Sequence, residues 1–197
     1  AASDVYKRQK RVMINLATLK EVMLENRKEV ELHDVVSRDV NISDFGDYVL
    51  VGVRRSGKSY ILYGRMQQLL REGYTWDDML YLNFEDERLA GMELSDLSAI
   101  LEVHGQLSSH RPMLFLDEIQ NIDGWEQFIR RLSDNKYRIV VTGSNAKMLS
   151  RDVAAKLGGR FIIKEVYPYS FKEFLFAKGL NVGLSLIHIS APTRLGM

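Results

Sequence analysis

The stretch GVRRSGKS at residues 52–59 sits directly behind the apolar run Tyr48-Val49-Leu50-Val51, and it limits the possible folds of this chain more than any other feature. It fits the pattern GxxxxGK[ST]. That pattern has physical meaning where a short buried strand feeds a glycine-rich turn and then a helix. Gly52 and Gly57 lack a Cβ, so the backbone can bend tightly and aim successive N–H groups at one anion. The helix that follows presents its unpaired N–H groups and its positive dipole end to the same anion. Lys58 is then placed to reach the β- and γ-phosphates of a nucleotide, and the Ser59 hydroxyl to bind Mg²⁺. The expected nucleotide contacts are Gly52, Val53, Arg54, Arg55, Ser56, Gly57, Lys58, Ser59 and Tyr60. Arg54 and Arg55 could face phosphate, although variable positions of such a loop more often face solvent.

The two ends of the chain read differently from its middle. Asp4-Val5-Tyr6-Lys7-Arg8-Gln9 can be encoded as GAT GTG TAT AAG AGA CAG. The reverse complement of that DNA translates to Leu-Ser-Leu-Ile-His-Ile, the sequence at residues 184–189. An inverted repeat at opposite termini resembles the transposon-end adapters used to prepare sequencing libraries. Residues 1–9 and 184–197 are therefore expected to be adapter-derived and are set aside in fold reasoning. Residues 10–46 then form a helical lead-in and residues 47–183 a core, with the natural gene expected to continue past Gly183.

Without those ends the formal charge falls from +1 to about −1, because the ends carry Lys7, Arg8 and Arg194 against Asp4. No global basic excess points to nucleic acid, and no acidic run points to a solvating tail. Cysteine is absent, which removes disulfides, thiolate metal sites and a cysteine nucleophile. His33, His104 and His110 have no metal-ligand spacing. No apolar run approaches the length of a membrane span, and no signal peptide is visible, so a cytoplasmic protein without membrane partners is expected.

Strand and helix patterns alternate along the core. Residues 13–28 predict a helix, and residues 29–47 a short helix and a turn. Strands are expected at 48–51, 79–84, 113–116, 138–141 and 161–166. The helix over 57–71 carries Ile61, Leu62, Met66, Leu69 and Leu70 inward, with Gly73 placed to stop it. Leu97, Ile100, Leu101 and His104 mark a second helical face, and Gly105 is the expected terminator. Asp123 is expected to cap a helix with the stripe Trp125, Phe128, Ile129 and Leu132. A short helix over 146–156 and an amphipathic segment over 170–178 complete the pattern. The strands are apolar throughout rather than alternating, which implies a parallel sheet covered on both faces. Right-handed crossovers place ligands at the carboxyl ends of such strands.

Asp117 and Glu118 close the third strand and divide two tasks. Asp117 can hold Mg²⁺, directly or through water. Glu118 points elsewhere and can orient and deprotonate an attacking water. Between Lys58 and Asp117 there is room for a helix, a strand and a helix, so the Asp117 strand need not adjoin the first one. That spacing resembles the additional-strand class of P-loop ATPases more than kinases or GTPases. The expected sheet has about five strands in the order 5-1-4-3-2, in a three-layer α/β sandwich. The strand at 138–141 then lies between the two motif-bearing strands, and Thr142, Ser144 or Asn145 at its end can reach the γ-phosphate or the water, Ser144 being the first choice. Asn135-Lys136 is similar to a guanine-reading motif, but Arg138 stands where its Asp should be.

The series GVRRSGKS, YLNFEDERL, LFLDEIQNIDGWEQFIRRL, IVVTGSNAKMLS, LGGRF and VYPYSFKEF, in this order, resembles a family of predicted prokaryotic ATPases. In that family an AAA-type P-loop core precedes a C-terminal domain of unknown function. The resemblance spans about residues 47–174. It implies Walker roles for Lys58, Ser59, Asp117 and Glu118, a sensor role for Ser144 or a neighbour, and a C-terminal domain that should begin soon after Gly183. Arg160, in the Gly-Arg pair before the last strand, is similar to the position from which clamp-loader-like AAA+ ATPases offer an arginine finger to a neighbouring subunit. The alternative for Arg160 is a structural pairing with a local acid such as Glu165. The implied activity is Mg-dependent ATP hydrolysis coupled to the missing domain or a partner, with a homo-oligomer possible. A binding-only nucleotide switch or scaffold is one alternative. A DNA-associated loader or helicase-like motor is another, since DEIQ is similar to a helicase motif, although neutral charge counts against it.

Overall fold

In the computed structural model the described residues are 14–43, 45–144 and 151–180. The adapter-like ends at 1–9 and 184–197 lie outside them, as does Asn145. The chain enters through helix α1 (Leu16–Leu32), whose N-terminus is capped by the Asn15 side chain accepting from the Ala17 N–H. Helix and strand then alternate: β1 (Asp47–Val51), α2 (Lys58–Arg71), β2 (Met79–Asn83), α3 (Ser98–Leu107), β3 (Met113–Asp117), α4 (Trp125–Asp134), β4 (Ile139–Gly143), α5 (Arg151–Leu157), β5 (Phe161–Glu165) and α6 (Phe171–Ala177).

The five strands form one sheet in the order β2-β3-β4-β1-β5, with every neighbouring pair parallel. This is the expected order 5-1-4-3-2 read from the other edge. β4 is inserted between β1 and β3, so Val51 pairs with Gly143 while Leu116 pairs with Val141. Successive strand residues point to opposite faces, and the core divides accordingly. Tyr48, Leu50, Tyr81, Phe115 and Val140 pack with Ile61, Leu62, Met66 and Leu69 of α2 on one face. Val49, Val51, Leu80, Leu114, Leu116 and Val141 pack on the other face with α1, α3, α4 and α5. β1 to β4 are buried on both faces, which explains why they read as unbroken apolar runs; the edge strand β5 departs from the expected cover and leaves Ile162 and Ile163 exposed. α1 lies along the outer edge of β2, where Asn26 Oδ1 accepts the Asn83 N–H at 3.0 Å and protects that edge from water.

Several boundaries differ from expectation. α1 runs on to Leu32, since Val30 packs against the α2 face and Trp76 Nε1 donates to Glu31 Oε1 at 2.5 Å. No helix forms among the described residues between α1 and β1. Gly105 does not stop α3; it sits inside the helix, facing open space, and the helix ends two residues later. Asp123 does not cap α4, because Gly124 occupies the N-cap in a left-handed conformation (φ 78°) without a side-chain cap. Gly73 does end α2, with φ 99° and the Tyr74 N–H returning to the Leu69 carbonyl at 3.1 Å. α6 carries a complete capping box between Ser170 and Glu173, yet none of its residues is buried, and Phe171, Phe174 and Phe176 are exposed.

Candidate functional site

The carboxyl ends of β1, β3 and β4 meet at one place, and the loop after β1 lies across it. Gly52 is required there by close approach. The Val166 N–H donates to the Val51 carbonyl at 2.6 Å, and a Cβ on Gly52 would fall 2.1 Å from the Val166 carbonyl oxygen. Gly57 is required by its backbone, with φ 91°. Arg55 takes φ 64° without being glycine, a cost accepted where the loop turns over. α2 begins at Lys58 with no side-chain cap and no acidic residue in its first turn, so its N–H groups stay available to an outside acceptor. A cleft of about 720 Å³ opens over these groups, lined by Arg54, Arg55, Gly57, Lys58, Ser59, Tyr60, Glu85, Glu118 and Tyr169.

Lys58 is 3% exposed and bound on every side. Its Nζ donates to the carbonyls of Gly52 and Val53 at 3.2 Å each and to Ser144 Oγ at 2.8 Å. Glu118 Oε1 lies 3.3 Å away. Ser144 Oγ donates in turn to Glu118 Oε1 at 2.5 Å, and Gln120 Nε2 donates to Glu118 Oε2 at 2.5 Å. Burial pushes the Glu118 carboxyl upward, but bonds from Ser144, Gln120 and Lys58 outweigh it and hold the group below the usual glutamate range. Glu118 is therefore ionised at neutral pH, with its charge answered by Lys58.

Asp117 occupies a separate niche. Glu118 has φ 52°, and its N–H donates to Thr142 Oγ1 at 2.9 Å; this left-handed turn sends the two adjacent carboxylates apart. Asp117 is fully buried. It accepts from Thr142 Oγ1, from the Ser59 hydroxyl, and from the Tyr81 hydroxyl at 3.2 Å. Burial raises its pKa above the usual aspartate value despite those bonds, and the charge of Glu118 adds to the rise. Burial likewise raises both Tyr81 and Tyr63, the latter to about 12, so both tyrosines stay protonated and Tyr81 can donate to Asp117.

These groups suit a magnesium-bound polyphosphate. Ser59 and Asp117 share a hydrogen bond, so hydroxyl and carboxylate already face one point, and both are hard oxygen donors. Among the described residues no cluster of three or more His, Cys, Asp or Glu could cage a metal by itself. Mg²⁺ needs no such cage, since it retains waters and takes one or two carboxylates together with substrate phosphates.

The structure thus brings together Gly52, Gly57, Lys58, Ser59, Asp117, Glu118 and Ser144. Ser144 is joined to Lys58 and Glu118, while Thr142 serves Asp117, so the end of β4 divides its polar residues between the two carboxylates. Val53, Arg54 and Arg55 are exposed on the rim, where Arg54 pairs with Glu85 at 3.0 Å in solvent; Ser56 is buried beneath them and Tyr60 stands at the cleft wall. Arg160 is placed elsewhere. It precedes β5, at the amino ends of the strands, far from the cleft of its own subunit. Its acid is Asp134 at 2.9 Å and not Glu165, which accepts from the Tyr167 hydroxyl. Sequence reading missed Tyr81, Gln120, Arg38 and Tyr169. Only Gln120, in the turn after the acidic pair, left a local signal.

A model of the AAA domain family matches residues 46–175. An uncharacterized protein of Methanocaldococcus jannaschii is 40% identical over 164 residues, covering 82% of this chain and 36% of the relative. An uncharacterized protein of Haemophilus influenzae is 38% identical over 136 residues, covering 68% of this chain and 34% of the relative. The chain thus spans about a third of the length of these curated relatives. Among solved structures, the closed state of Hsp104 with ATPγS and FITC-casein aligns with a TM-score of 0.45 at 14% identity, covering 88% of this chain and 30% of that one. No helix among the described residues is long and apolar enough to cross a membrane.

Proposed function

This chain belongs to the AAA domain family and has a P-loop NTPase core, and we propose that the core binds Mg-ATP and hydrolyses it. The observation that supports this most is the convergence at one cleft of an uncapped helix start, a buried lysine, a serine–aspartate pair and a second carboxylate held apart from the first.

In this reading the N–H groups of the loop and of the first turn of α2 bind phosphate oxygens, and Lys58 neutralises the β- and γ-phosphates. Ser59 and Asp117 would hold Mg²⁺, which would supply positive charge to offset that of the phosphates. Glu118 takes a proton from the attacking water. The ion pair with Lys58 lowers the basicity of Glu118. When Lys58 turns to phosphate, Glu118 keeps Ser144 and Gln120 as donors but loses the ammonium, so its pKa rises toward that of a working base. The arrival of the nucleotide thereby frees the base that activates the attacking water. Ser144, bonded to both Lys58 and Glu118, is the group that registers the exchange.

Arg160 pairs with Asp134 away from the cleft of its own chain, so a trans-finger role for it would require an oligomer. Since the curated relatives are about three times as long as the stretch they share with this chain, hydrolysis is proposed to switch a further domain or a partner.

Phosphate release from Mg-ATP, compared between the wild type and Glu118→Gln, tests the assignment. Loss of a general base should cost about 10²- to 10⁴-fold in turnover, with nucleotide affinity retained. Equal turnover in the two proteins would leave a binding-only switch as the better description.

A further inference from the structure

Arg38, in the segment between α1 and β1, joins three segments that are distant in sequence. Its side chain is 6% exposed. Nε donates to Glu173 Oε1 at 2.9 Å, one terminal nitrogen donates to the Ser56 carbonyl at 2.9 Å, and the other donates to the Tyr167 carbonyl at 2.7 Å. The guanidinium carbon lies 4.5 Å from the ring centroid of Tyr169, a residue of the cleft wall. Glu173 Oε1 also accepts the Asp39 N–H at 3.2 Å, and Oε2 accepts the Ser170 N–H at 2.8 Å, completing the capping box of α6.

The contact with Ser56 reaches into the phosphate-binding loop. No peptide bond of the described chain is cis. In a trans peptide the carbonyl and the N–H point in opposite directions. Turning the Ser56 carbonyl toward Arg38 therefore turns the Gly57 N–H away from Arg38, to the side on which Gly57 and Lys58 line the cleft. The approach is close enough that a Cβ on Gly57 would fall 2.7 Å from the Arg38 terminal nitrogen. Gly57 thus answers two demands, its positive φ and the guanidinium beside it.

The other contacts of Arg38 hold α6. That helix has no buried residue and is fixed at its start by Glu173 and the Tyr167–Ser170 segment. The same guanidinium therefore sets a loop amide and anchors α6. A lysine could not do both, because it offers a point charge in place of a planar fork that binds three acceptors and stacks on a ring.

We propose that Arg38 is a positioning residue for nucleotide binding: through the Ser56 carbonyl it orients the Gly57 N–H toward phosphate, and through Glu173 and Tyr167 it links that orientation to α6. The proposal rests on the nucleotide reading of the cleft. The linkage is reciprocal, so whatever moves α6 changes nucleotide affinity and nucleotide changes the hold on α6.

The test uses the full chain with Arg38→Ala, Arg38→Lys and Glu173→Gln. It measures Mg-ATP binding by calorimetry, turnover at saturation, and hydrogen exchange of residues 171–177 with and without Mg-ATP. Arg38→Ala should weaken binding about tenfold or more, since charge-assisted hydrogen bonds are lost. Turnover at saturation should stay within about threefold, as expected when binding rather than the chemical step is affected. Arg38→Lys should fold and recover only part of the affinity, and in both arginine variants the exchange response of α6 to Mg-ATP should vanish. If Arg38→Ala fails to fold, Arg38→Lys and Glu173→Gln carry the comparison. Unchanged affinity and an unchanged α6 response in folded variants, beside a wild type that binds, would overturn the Arg38 assignment alone. A wild type that does not bind Mg-ATP would overturn the nucleotide reading along with it.

Discussion

Replacing Lys58 by alanine should weaken the fold itself, before any nucleotide is added. Lys58 is 3% exposed and answers the charge of Glu118, whose side chain is 9% exposed. Truncation leaves the Glu118 carboxylate in that setting with only Ser144 and Gln120, and it also strips the Gly52 and Val53 carbonyls of a donor. Breaking one side of a buried pair costs about 3–5 kcal/mol, and the position of Glu118 at the cleft edge points to the lower end. With a urea dependence of about 1–3 kcal/mol/M, a loss near 3 kcal/mol should lower the unfolding midpoint by roughly 1–3 M. Glu118→Gln in the same background removes the stranded charge, so the double variant should lose less than the two single losses added, by about 0.5–3 kcal/mol. The sign of the pH dependence follows from the depressed carboxyl. Its stabilisation is fully present above the unfolded value of 4.5 and is lost as pH falls through the lower folded value. The gap between wild type and Lys58→Ala should accordingly be widest above pH 4.5 and narrow below it. Equal urea midpoints at neutral pH, or strictly additive losses in the double variant, would refute the reasoning.

Four further substitutions probe other parts of the molecule. Gly52→Ala puts a Cβ 2.1 Å from the Val166 carbonyl, so β1 or the chain after β5 must shift; a loss of about 3 kcal/mol or more is expected in urea unfolding, at the top of the overpacking range. Asp117→Asn removes a carboxyl whose folded pKa is raised by burial. The stability that Asp117 supplies is present below 3.8 and lost as pH rises through the folded value, so by thermal melting the variant should gain on the wild type toward neutral pH. Nucleotide affinity in that variant should no longer respond to Mg²⁺. Arg160→Ala should leave nucleotide affinity unchanged and abolish any rise of turnover with protein concentration, a rise that a trans finger can make as large as about 10³- to 10⁵-fold. Asp134→Ala, which frees Arg160 from its ion pair, should not abolish that rise.

The inner strands were legible because they are buried on both faces, so runs such as Tyr48-Val49-Leu50-Val51 and Met113-Leu114-Phe115-Leu116 are wholly apolar and too short for a core helix. The strand order followed from the length of chain between Lys58 and Asp117. Local signals failed where tertiary contacts decide. Val30 and Glu31 extend α1 because the α2 face and Trp76 lie beside them. Gly105 lies in open space inside a helix that packs through Ile100 and Val103, so its weak propensity does not end the helix. At the site, glycines, lysine, serine and carboxylates were readable because each chemistry demands its residue type. The Lys58–Glu118 ion pair was not readable, because its partners stand 60 positions apart and meet only through the order of the strands. Arg38 and Glu173 stand 135 positions apart, and nothing in either neighbourhood announces the other.

Thermal melting with and without Mg-ATP, on the wild type and on Lys58→Ala, asks whether this cleft holds a polyphosphate. Ligand at about a hundredfold above its dissociation constant should stabilise the wild type by roughly 2.7 kcal/mol. For a chain of this size that is a rise of roughly 5–10 °C. Lys58→Ala should melt lower and show no rise with Mg-ATP. A wild type whose melting temperature ignores Mg-ATP, or a Lys58→Ala variant that responds as the wild type does, would contradict a polyphosphate site at this cleft.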